Sequence, residues 1–312
     1  MLKKSYASVY DHPVYGDQVL DQFGISEHQL LGAGRHSRVY AVDRVNVLRI
    51  YSPEISFQYV ESLSNFYKTL DSSAVGFSVP EVEEFGIKGD YIFSIEKHLG
   101  QTMGFALQTS DQLFTDKHID EYVKILDKIA HLKPELKDIY GEVIGDDIIQ
   151  SESWGEYLYK RAEKNLDDST IARLRTLIPN FDKIFEGWRV ALTGLENPQK
   201  NLVHGDIFPG NLMVDDGGSI SAVIDFSPNT VIGDKLLDIV PALIQIDYGN
   251  HFDDEQVAII ETEVKKIYKL DREIFNIYEM FIYLCYSSDP RELKRVWCHN
   301  NISRLIKEKA FI

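Results

Sequence analysis

Three oxygen-bearing side chains lie close together in one part of the sequence. Asp206 and Asn211 are in the run HGDIFPGNLMV, which begins at His204, and Asp225 follows in the run AVIDF. Carboxylate and amide oxygens suit a hard cation such as Mg²⁺, which usually keeps water and substrate phosphates in its remaining positions. A carboxylate that does not bind the metal could take a proton from a substrate hydroxyl. These residues predict a divalent-ion site beside a general base.

A β-hairpin between Asn211 and Asp225 would bring these side chains together. Asp-Gly and Gly-Gly dipeptides at 216–218 favour a hairpin turn, and apolar runs flank them. Asn211 would then enter the first strand and Asp225 leave the second, so both lie at the open end of the hairpin, with Asp206 in a loop at that end. The alternative is that the three residues only cap turns or end a strand. Their order and spacing favour the shared site.

A glycine-rich segment near the N-terminus is the second informative pattern. Gly32 and Gly34 lie in a turn between two predicted strands, and Ser37 follows them. Small residues allow backbone N–H groups to approach phosphate oxygens, and a serine hydroxyl could donate to one. Because a strand rather than a helix follows the glycines, a Rossmann dinucleotide site is disfavoured.

The composition is that of a folded globular protein. Of 312 residues, 44% are hydrophobic and 26% are charged, and the formal net charge is −16. Such acidity disfavours nucleic acid or an anionic membrane as the main partner. The sequence has no apolar run near the ~18 residues of a membrane span, no secretory signal and only two cysteines. We therefore expect a cytoplasmic protein without a nucleic-acid or membrane partner.

The predicted elements divide the chain into two parts. Short strands broken by Gly and Asp, with one helix among them, precede Gly100, and apolar residues at helical spacing dominate after it. A strand-rich part followed by a helix-rich part predicts the α+β class with two lobes rather than alternating βαβ units. We expect a small antiparallel N-terminal lobe over 1–97 and a larger, mainly helical lobe over 98–312.

The pattern His-Gly-Asp-x-x-x-x-Asn, followed by Ile-Asp-Phe, resembles the catalytic loop and metal-binding aspartate of the aminoglycoside phosphotransferase family, relatives of the protein kinases. Position by position, the resemblance implies that Asp206 is the catalytic base and that Asn211 and Asp225 bind Mg²⁺. It also implies that His204 and Asp238 have structural roles in holding the loop. The expected fold is the two-lobed protein-kinase-like fold.

The resemblance further implies that ATP or GTP binds in the cleft between the lobes. The nucleotide phosphates would lie under Gly32, Gly34 and Ser37. The family has a lysine on the next strand, where this chain has Arg49. Arginine keeps a permanent charge and can bind phosphate, but its planar fork is not geometrically equivalent to an ammonium group.

Two further nucleotide-site features follow from the same resemblance. A glutamate on the helix after Arg49 should pair with it, and we expect this residue to be Glu61, with Glu54 as the second choice. The segment that includes Glu96 and His98 should form the hinge between the lobes, where backbone groups would bind the adenine.

The acceptor implied by the resemblance is a hydroxyl group of a small molecule, which could be cationic. The runs Val-Leu-Arg at 47–49 and Ala-Val-Ile-Asp at 222–225 are most similar to the hygromycin B phosphotransferase type, which predicts an aminoglycoside or aminocyclitol. Carboxylates of the later helices could match such a molecule, and they are Asp247, Asp253, Asp254 and Glu279. The alternative for these residues is a solvated acidic face.

Three other activities remain open from the sequence. A metabolic kinase for choline, homoserine, methylthioribose or a ketoamine would share every catalytic residue. The arginine at position 49 also allows a nucleotide-binding pseudokinase, although Asp206, Asn211 and Asp225 speak against it. A metal-dependent phosphohydrolase could use the same carboxylates but gives no role to the glycine-rich segment.

Overall fold

The computed structural model describes residues 15–34, 36–103, 116–132, 138–215, 217, 219–244, 254–269, 271–308 and 310–311. A helix, α1 (Asp17–Phe23), precedes an antiparallel sheet of five strands in the order β1-β2-β3-β5-β4. The strands are β1 Leu30–Ala33, β2 Ser37–Ala41, β3 Asn46–Tyr51, β4 Val82–Lys88 and β5 Tyr91–Lys97.

Local hydrogen bonds and alternating side chains explain this sheet. The Asp43 carboxylate accepts hydrogen bonds from the backbone N–H groups of Val45 and Asn46, at 2.6 and 2.8 Å, and so closes the turn between β2 and β3. Successive residues of a strand face opposite sides. In β3 the fully buried Leu48 and Ile50 therefore pack with α1, and the intervening Arg49 projects from the other face.

Helix α2 (Phe57–Thr69) lies between β3 and β4 in sequence and connects the sheet to the helical part of the molecule. Ser56 caps its first turn by accepting a hydrogen bond from the Tyr59 N–H at 3.0 Å. Its buried residues Phe66 and Tyr67 pack against Phe226, which lies directly after Asp225. The strand-rich and helix-rich parts therefore share apolar packing at this point.

The rest of the described chain is mainly helical. Its helices are α3 Asp116–Ile129, α4 Trp154–Asn165, α5 Asp168–Leu177, α6 Phe181–Thr193, α7 Leu236–Ile244, α8 Asp254–Tyr268, α9 Arg272–Tyr286 and α10 Glu292–Lys307. Short strands form two further sheets, with the orders β11-β10-β6 and β8-β7-β12-β9. These strands are β6 Gln101–Thr102, β7 Tyr140–Glu142, β8 Gln150–Ser151, β9 Asn201–Val203, β10 Leu212–Val214, β11 Ile220–Val223 and β12 Val231–Gly233.

Helix α9 lies at the centre of the helical part and fixes the start of α7. The Trp154 indole donates to the Tyr278 hydroxyl at 2.8 Å, and that hydroxyl donates to Asp234 at 2.7 Å. The other carboxylate oxygen of Asp234 accepts from the Leu236 N–H at 3.0 Å, at the first residue of α7. A buried chain of hydrogen bonds thus positions the helix that carries Asp238.

The sequence-based prediction of the fold is confirmed. The protein is α+β, with an antiparallel sheet followed by a helical part, in the two-lobed kinase-like arrangement. Among the described residues, no helix combines the length and apolar character that a membrane crossing requires. The boundary between residues 97 and 98 stays a prediction.

Candidate active site

The predicted hairpin is present and places two of the candidate residues side by side. Strand β10 pairs with β11 through Leu212 opposite Val223. One residue further out, the Ile224 N–H donates to the Asn211 carbonyl at 2.9 Å. Asn211 and Asp225 therefore meet at the open end of the hairpin. Asp225 is exposed and adopts a left-handed backbone conformation with φ of 67°.

Asn211 also contacts the loop that carries Asp206. Its side-chain Nδ2 donates to the Asp206 carbonyl at 2.9 Å, which leaves Oδ1 as the amide oxygen that could bind a cation. Burial raises the pKa of Asp206 to about 6, and the negative charge of Asp225 acts in the same direction. The structure thus brings Asp206, Asn211 and Asp225 together. A carboxyl group with a pKa near neutrality suits a general base.

His204 connects the catalytic loop to the segment that carries Asp225. Its ring Nδ1 accepts from the Asp206 N–H at 3.3 Å, so the other nitrogen, Nε2, carries the proton and donates to the Ile224 carbonyl at 2.9 Å. The ring is fully buried and lies 4.5 Å from the Phe226 ring, centroid to centroid. Burial lowers the pKa of His204 to about 4. The imidazole is therefore neutral at physiological pH and acts as a brace.

Asp238 holds the same loop from the other side. Its two carboxylate oxygens accept from the backbone N–H groups of His204 and Gly205, at 2.8 and 2.7 Å. Gly205 has φ of +81°, and a Cβ there would lie 2.1 Å from the Asn229 carbonyl oxygen. Only glycine fits this position without strain.

Arg49 on β3 is held by two partners on the face of the sheet opposite α1. Its Nε and Nη2 donate to the two carboxylate oxygens of Glu96 at 2.8 and 3.1 Å, and its Nη1 donates to the Ser37 hydroxyl at 2.9 Å. Burial lowers the pKa of Arg49, but the Glu96 carboxylate outweighs this effect and the pKa is raised well above its usual value. This three-residue arrangement is called the arginine clamp below.

The arginine clamp corrects the sequence-based expectation for the carboxylate partner of Arg49. The carboxylate partner of Arg49 is Glu96 on β5 rather than Glu61, which is exposed, or Glu54, which lies 3.8 Å from His36. The reason is the strand register, since Arg49 faces Ser94 across β3 and β5 and Glu96 is the diagonal neighbour on the same face.

The predicted hinge also differs in detail from the expectation. The His98 N–H donates to the Val45 carbonyl at 2.6 Å, so this backbone donor is already used within the fold. The expectation gave this segment a role only through its backbone. The Glu96 side chain also has a role, because it binds Arg49 in the arginine clamp.

The glycine-rich segment has open space around it. A Cβ added at Gly32 or Gly34 would meet no atom within 4 Å, and the Gly34 N–H donates to the Ser37 carbonyl at 2.9 Å in a tight turn. The Ser37 hydroxyl accepts from Arg49, so its own proton remains available as a donor.

The charge of Asp225 reaches the arginine clamp. Burial raises the pKa of Tyr59 to about 12, and the negative charge of Asp225 contributes to this increase. The same charge also helps to raise the pKa of Arg49. Asp225 therefore lies within electrostatic range of the arginine clamp.

The residues fit a magnesium ion that is bound jointly with phosphates. No group of three His, Cys, Asp or Glu side chains that could hold a metal occurs in the part of the chain that the structure describes. Asn211 Oδ1 and the exposed Asp225 carboxylate instead offer two oxygen donors from different chain segments. Mg²⁺ commonly takes one or two protein ligands of this kind and completes its shell with water and substrate phosphates.

A cavity of about 300 Å³ borders the catalytic loop. Gly205 and Asn229 line one side of it, and Arg161, Tyr286 and Asp289 line others. We call this the catalytic-loop cavity. Because Gly205, the neighbour of Asp206 in sequence, lines it, this cavity is the candidate acceptor site.

Of the predicted acidic acceptor residues, only Glu279 has a described side chain, and it does not line the catalytic-loop cavity. Asp247 and Asp253 lie outside the described residues, and Asp254 begins α8 with a side chain that is also outside the description. Glu279 is buried and lines a second cavity between α7, α8, α9 and α10. The expectation that Glu279 would lie in the same site as Asp206 is therefore corrected.

Several charged residues near the site were missed by sequence reasoning. The positive charges of Lys294 and Arg291, at the start of α10, lower the pKa of Asp206 and so oppose the effect of burial. Lys294 is buried, with its Nζ 3.5 Å from the centre of the Tyr286 ring. These residues are far from the motif in sequence and show no local pattern. For Glu96 a signal exists, because Ser94 and Glu96 alternate with apolar residues along β5.

Comparison with known structures agrees with this architecture. ADP-bound aminoglycoside phosphotransferase APH(2'')-Ib is similar over 99% of this chain and 100% of its own, with a TM-score of 0.56 and 14% identity. The gentamicin complex of APH(2'')-IIa covers 97% and 94% of the two chains, with a TM-score of 0.54 and 17% identity. APH(3'')-Id from Streptomyces rimosus ATCC10970, with ADP and streptomycin, covers 86% and 97%, with a TM-score of 0.51 and 14% identity.

Sequence comparison gives the family. No curated protein sequence matches the chain. Residues 27–268, which include the glycine-rich segment, the arginine clamp and the catalytic loop, match the phosphotransferase enzyme family APH. The chain belongs to this family of phosphotransferases, as its catalytic-loop residues predicted.

Proposed function

We propose that the protein is a Mg²⁺-dependent O-phosphotransferase that moves the γ-phosphoryl group of ATP or GTP to a hydroxyl group of a small molecule. The observation that carries this proposal is the convergence of Asp206, Asn211 and Asp225 opposite the arginine clamp. Phosphoryl transfer needs a base, metal ligands and a cationic phosphate site, and the cleft contains residues for each.

The nucleotide would bind with its phosphates beneath the glycine-rich segment. The backbone there can approach phosphate oxygens, because no side chain fills the space beside Gly32 and Gly34. Arg49 would supply positive charge and the Ser37 hydroxyl a hydrogen bond. Glu96 holds the guanidinium in place through two bonds, which supports a fixed rather than a mobile phosphate contact.

Asp206 would orient the acceptor hydroxyl and take its proton during in-line attack on the γ-phosphorus. His204 and Asp238 keep the loop in one conformation through backbone hydrogen bonds. Positioning of this kind supplies much of the rate in phosphoryl transfer. Asn211 and Asp225 would hold Mg²⁺, which neutralises charge on the nucleotide phosphates when it is bound.

The resemblance to aminoglycoside phosphotransferases makes an aminoglycoside hydroxyl, such as one of hygromycin, the first acceptor to test. One observation favours a second candidate, a less cationic metabolite alcohol. Asp289, which lines the catalytic-loop cavity, is already paired with Arg291, and Arg161 on the same cavity is paired with Glu142. A polycation would have to compete with these arginines. We place either activity in the cytoplasm, where nucleotide is available.

The test is a nucleotide-consumption assay with ATP and GTP against aminoglycosides, macrolides and metabolite alcohols. An active acceptor should stimulate turnover, and Asp206→Asn should lower kcat by about 10²- to 10⁴-fold with nucleotide binding retained. Phosphate release that is independent of every acceptor would favour a phosphohydrolase instead. Nucleotide binding without turnover on any acceptor would favour a pseudokinase.

A further inference from the structure

The second cavity, between α7, α8, α9 and α10, has a volume of about 460 Å³. Ile244, Phe275, Glu279, Trp297, Asn301 and Arg304 are among the residues that line it. We call it the α9 cavity. Glu279 precedes Tyr286, which lines the catalytic-loop cavity, by seven residues of the same helix, a separation of roughly 10 Å along the axis.

Glu279, which lines the α9 cavity, has one carboxylate oxygen without a hydrogen-bond partner. The residue is 3% exposed. Its Oε1 accepts from Arg304 at 2.7 Å and from the Tyr283 hydroxyl at 2.9 Å. Its Oε2 is buried and accepts no hydrogen bond from the described residues. A buried acceptor without a donor is destabilising, so a ligand that supplies the donor would remove this cost on binding.

The charges around the α9 cavity are already compensated. Lys265 pairs with Glu261 at 2.9 Å, and Arg272 pairs with Glu308 at 2.6 Å. Arg304 bridges Glu279 and Glu308. A ligand with a net charge would upset this balance, whereas a neutral hydroxyl donor would not.

The remaining wall combines flat aromatic surface with polar groups. The rings of Phe275 and Trp297 are half-buried, and Tyr283 packs edge to face against Trp297 with centroids 5.1 Å apart. The amide of Asn301 and the guanidinium of Arg304 lie on the same wall. Aromatic faces accept the C–H side of a saturated ring, while amide and guanidinium groups donate to its oxygens.

We propose that the α9 cavity binds a neutral saturated ring that carries several hydroxyl groups, one of which donates to Glu279 Oε2. The site goes beyond the proposed phosphotransferase activity, because it is separate from the catalytic-loop cavity and requires no nucleotide. Two sources supply this chemistry: a separate polyol, or a second ring of a phosphoryl acceptor that extends along α9.

The three tryptophans of the chain allow a direct test on the unmodified sequence. Trp154 and Trp188 are 1% and 0% exposed in the core, whereas Trp297 lines the α9 cavity. In protein labelled with 5-fluorotryptophan, myo-inositol should shift the ¹⁹F resonance of Trp297 saturably and leave the other two unchanged. Tetrahydropyran, a ring without hydroxyl donors, should bind at least tenfold more weakly. Equal effects of the two rings, or no saturable shift of Trp297, would overturn the proposal.

A pair of variants locates the hydrogen bond. Glu279→Gln should weaken myo-inositol binding about tenfold, the value of one charge-assisted hydrogen bond. Glu308→Gln removes a carboxylate from the same two arginines but does not line the cavity, so it should leave binding unchanged. Equal losses in both variants would contradict the role of Glu279. If Glu279→Gln fails to fold, the comparison of the two rings on the wild-type protein still decides.

The two sources are separated in the phosphotransferase assay. If the ligand is a second ring of the acceptor, myo-inositol should raise the acceptor KM competitively. If the ligand is a separate polyol, myo-inositol should not raise the acceptor KM competitively. Failure of the proposed phosphotransferase activity would leave the ¹⁹F result intact, since binding is measured without nucleotide or turnover.

Discussion

The catalytic loop and the arginine clamp are built by different interactions. The loop is held by hydrogen bonds from the backbone: His204 and Gly205 donate to Asp238, and Asp206 donates to the His204 ring. The clamp is held by side chains alone, through the bonds of Arg49 to Glu96 and Ser37.

This difference explains which positions tolerate change. Bonds to backbone groups fix the path of the chain, so the loop requires particular residues at 204, 205 and 238. A side-chain clamp requires only a cation with a supporting partner, so arginine can stand where related enzymes have lysine. Variants of the loop should therefore have larger effects than variants of the clamp.

Two glycine variants should show the contrast most strongly. In Gly205→Ala the new Cβ would lie 2.1 Å from a backbone oxygen, at a φ of +81°, whereas the space beside Gly34 is open. We expect Gly205→Ala to lower the free energy of unfolding by about 3–4 kcal/mol and to abolish turnover. Gly34→Ala should leave stability within about 0.5 kcal/mol. Chemical denaturation of both variants checks this, and equal stabilities would break the comparison.

Asp238→Ala should have the next largest effect. It leaves two buried N–H groups, those of His204 and Gly205, without their acceptor. We expect a loss of about 2–3 kcal/mol in unfolding free energy, together with a lower kcat at unchanged nucleotide affinity. Urea denaturation and steady-state kinetics would measure both quantities. A variant with normal kcat would show that Asp238 does not position the loop.

The pH dependence of the free energy of unfolding should show the contribution of the neutral His204 ring. Its pKa in the folded protein is about 4, below the usual 6.5 of histidine, because the ring is buried. The folded state therefore favours the neutral ring. The stabilisation that results is fully present above the pKa of His204 in the unfolded chain, and it is lost as the pH falls towards 4. From pH 7 to pH 5, wild type should lose about 2 kcal/mol relative to His204→Gln. Parallel pH profiles in denaturation experiments would contradict this assignment.

The smallest effect should come from the arginine clamp. Arg49→Lys keeps the charge but cannot make the two bonds to Glu96 together with the bond to Ser37. We expect the nucleotide KM to rise about tenfold, with kcat less affected. Arg49→Met, which removes the charge, should raise KM further. Equal KM values in wild type and Arg49→Met would exclude this residue from the nucleotide site.

The same contrast explains what the sequence could predict. The catalytic loop was predictable because its residues are close in sequence and a single hairpin turn brings them together. Asn211 and Asp225 need only the pairing of two short strands, which the apolar runs and turn glycines indicate. The fold class followed from the change from strand to helix patterns near Gly100.

The partner of Arg49 could not be predicted in this way. Glu96 is 47 residues away. The alternation along β5 indicates which face its side chain takes, but the pairing with Arg49 depends on the register between β3 and β5, which that alternation does not determine. A one-residue shift would turn the side chain to the other face. For the same reason the charges of Arg291 and Lys294 near Asp206 depend on how α10 packs, and motif reasoning does not reach them.

The proposed phosphotransferase activity requires that Asn211 and Asp225 hold a divalent ion against nucleotide phosphates beside Asp206. Electron paramagnetic resonance with Mn²⁺, which takes the same oxygen ligands as Mg²⁺, measures this directly. We predict tight Mn²⁺ binding only in the presence of nucleotide, weakened at least tenfold by Asp225→Asn but not by Asp215→Asn at the other end of the hairpin. Nucleotide-dependent Mn²⁺ binding that is unchanged in Asp225→Asn would contradict the account.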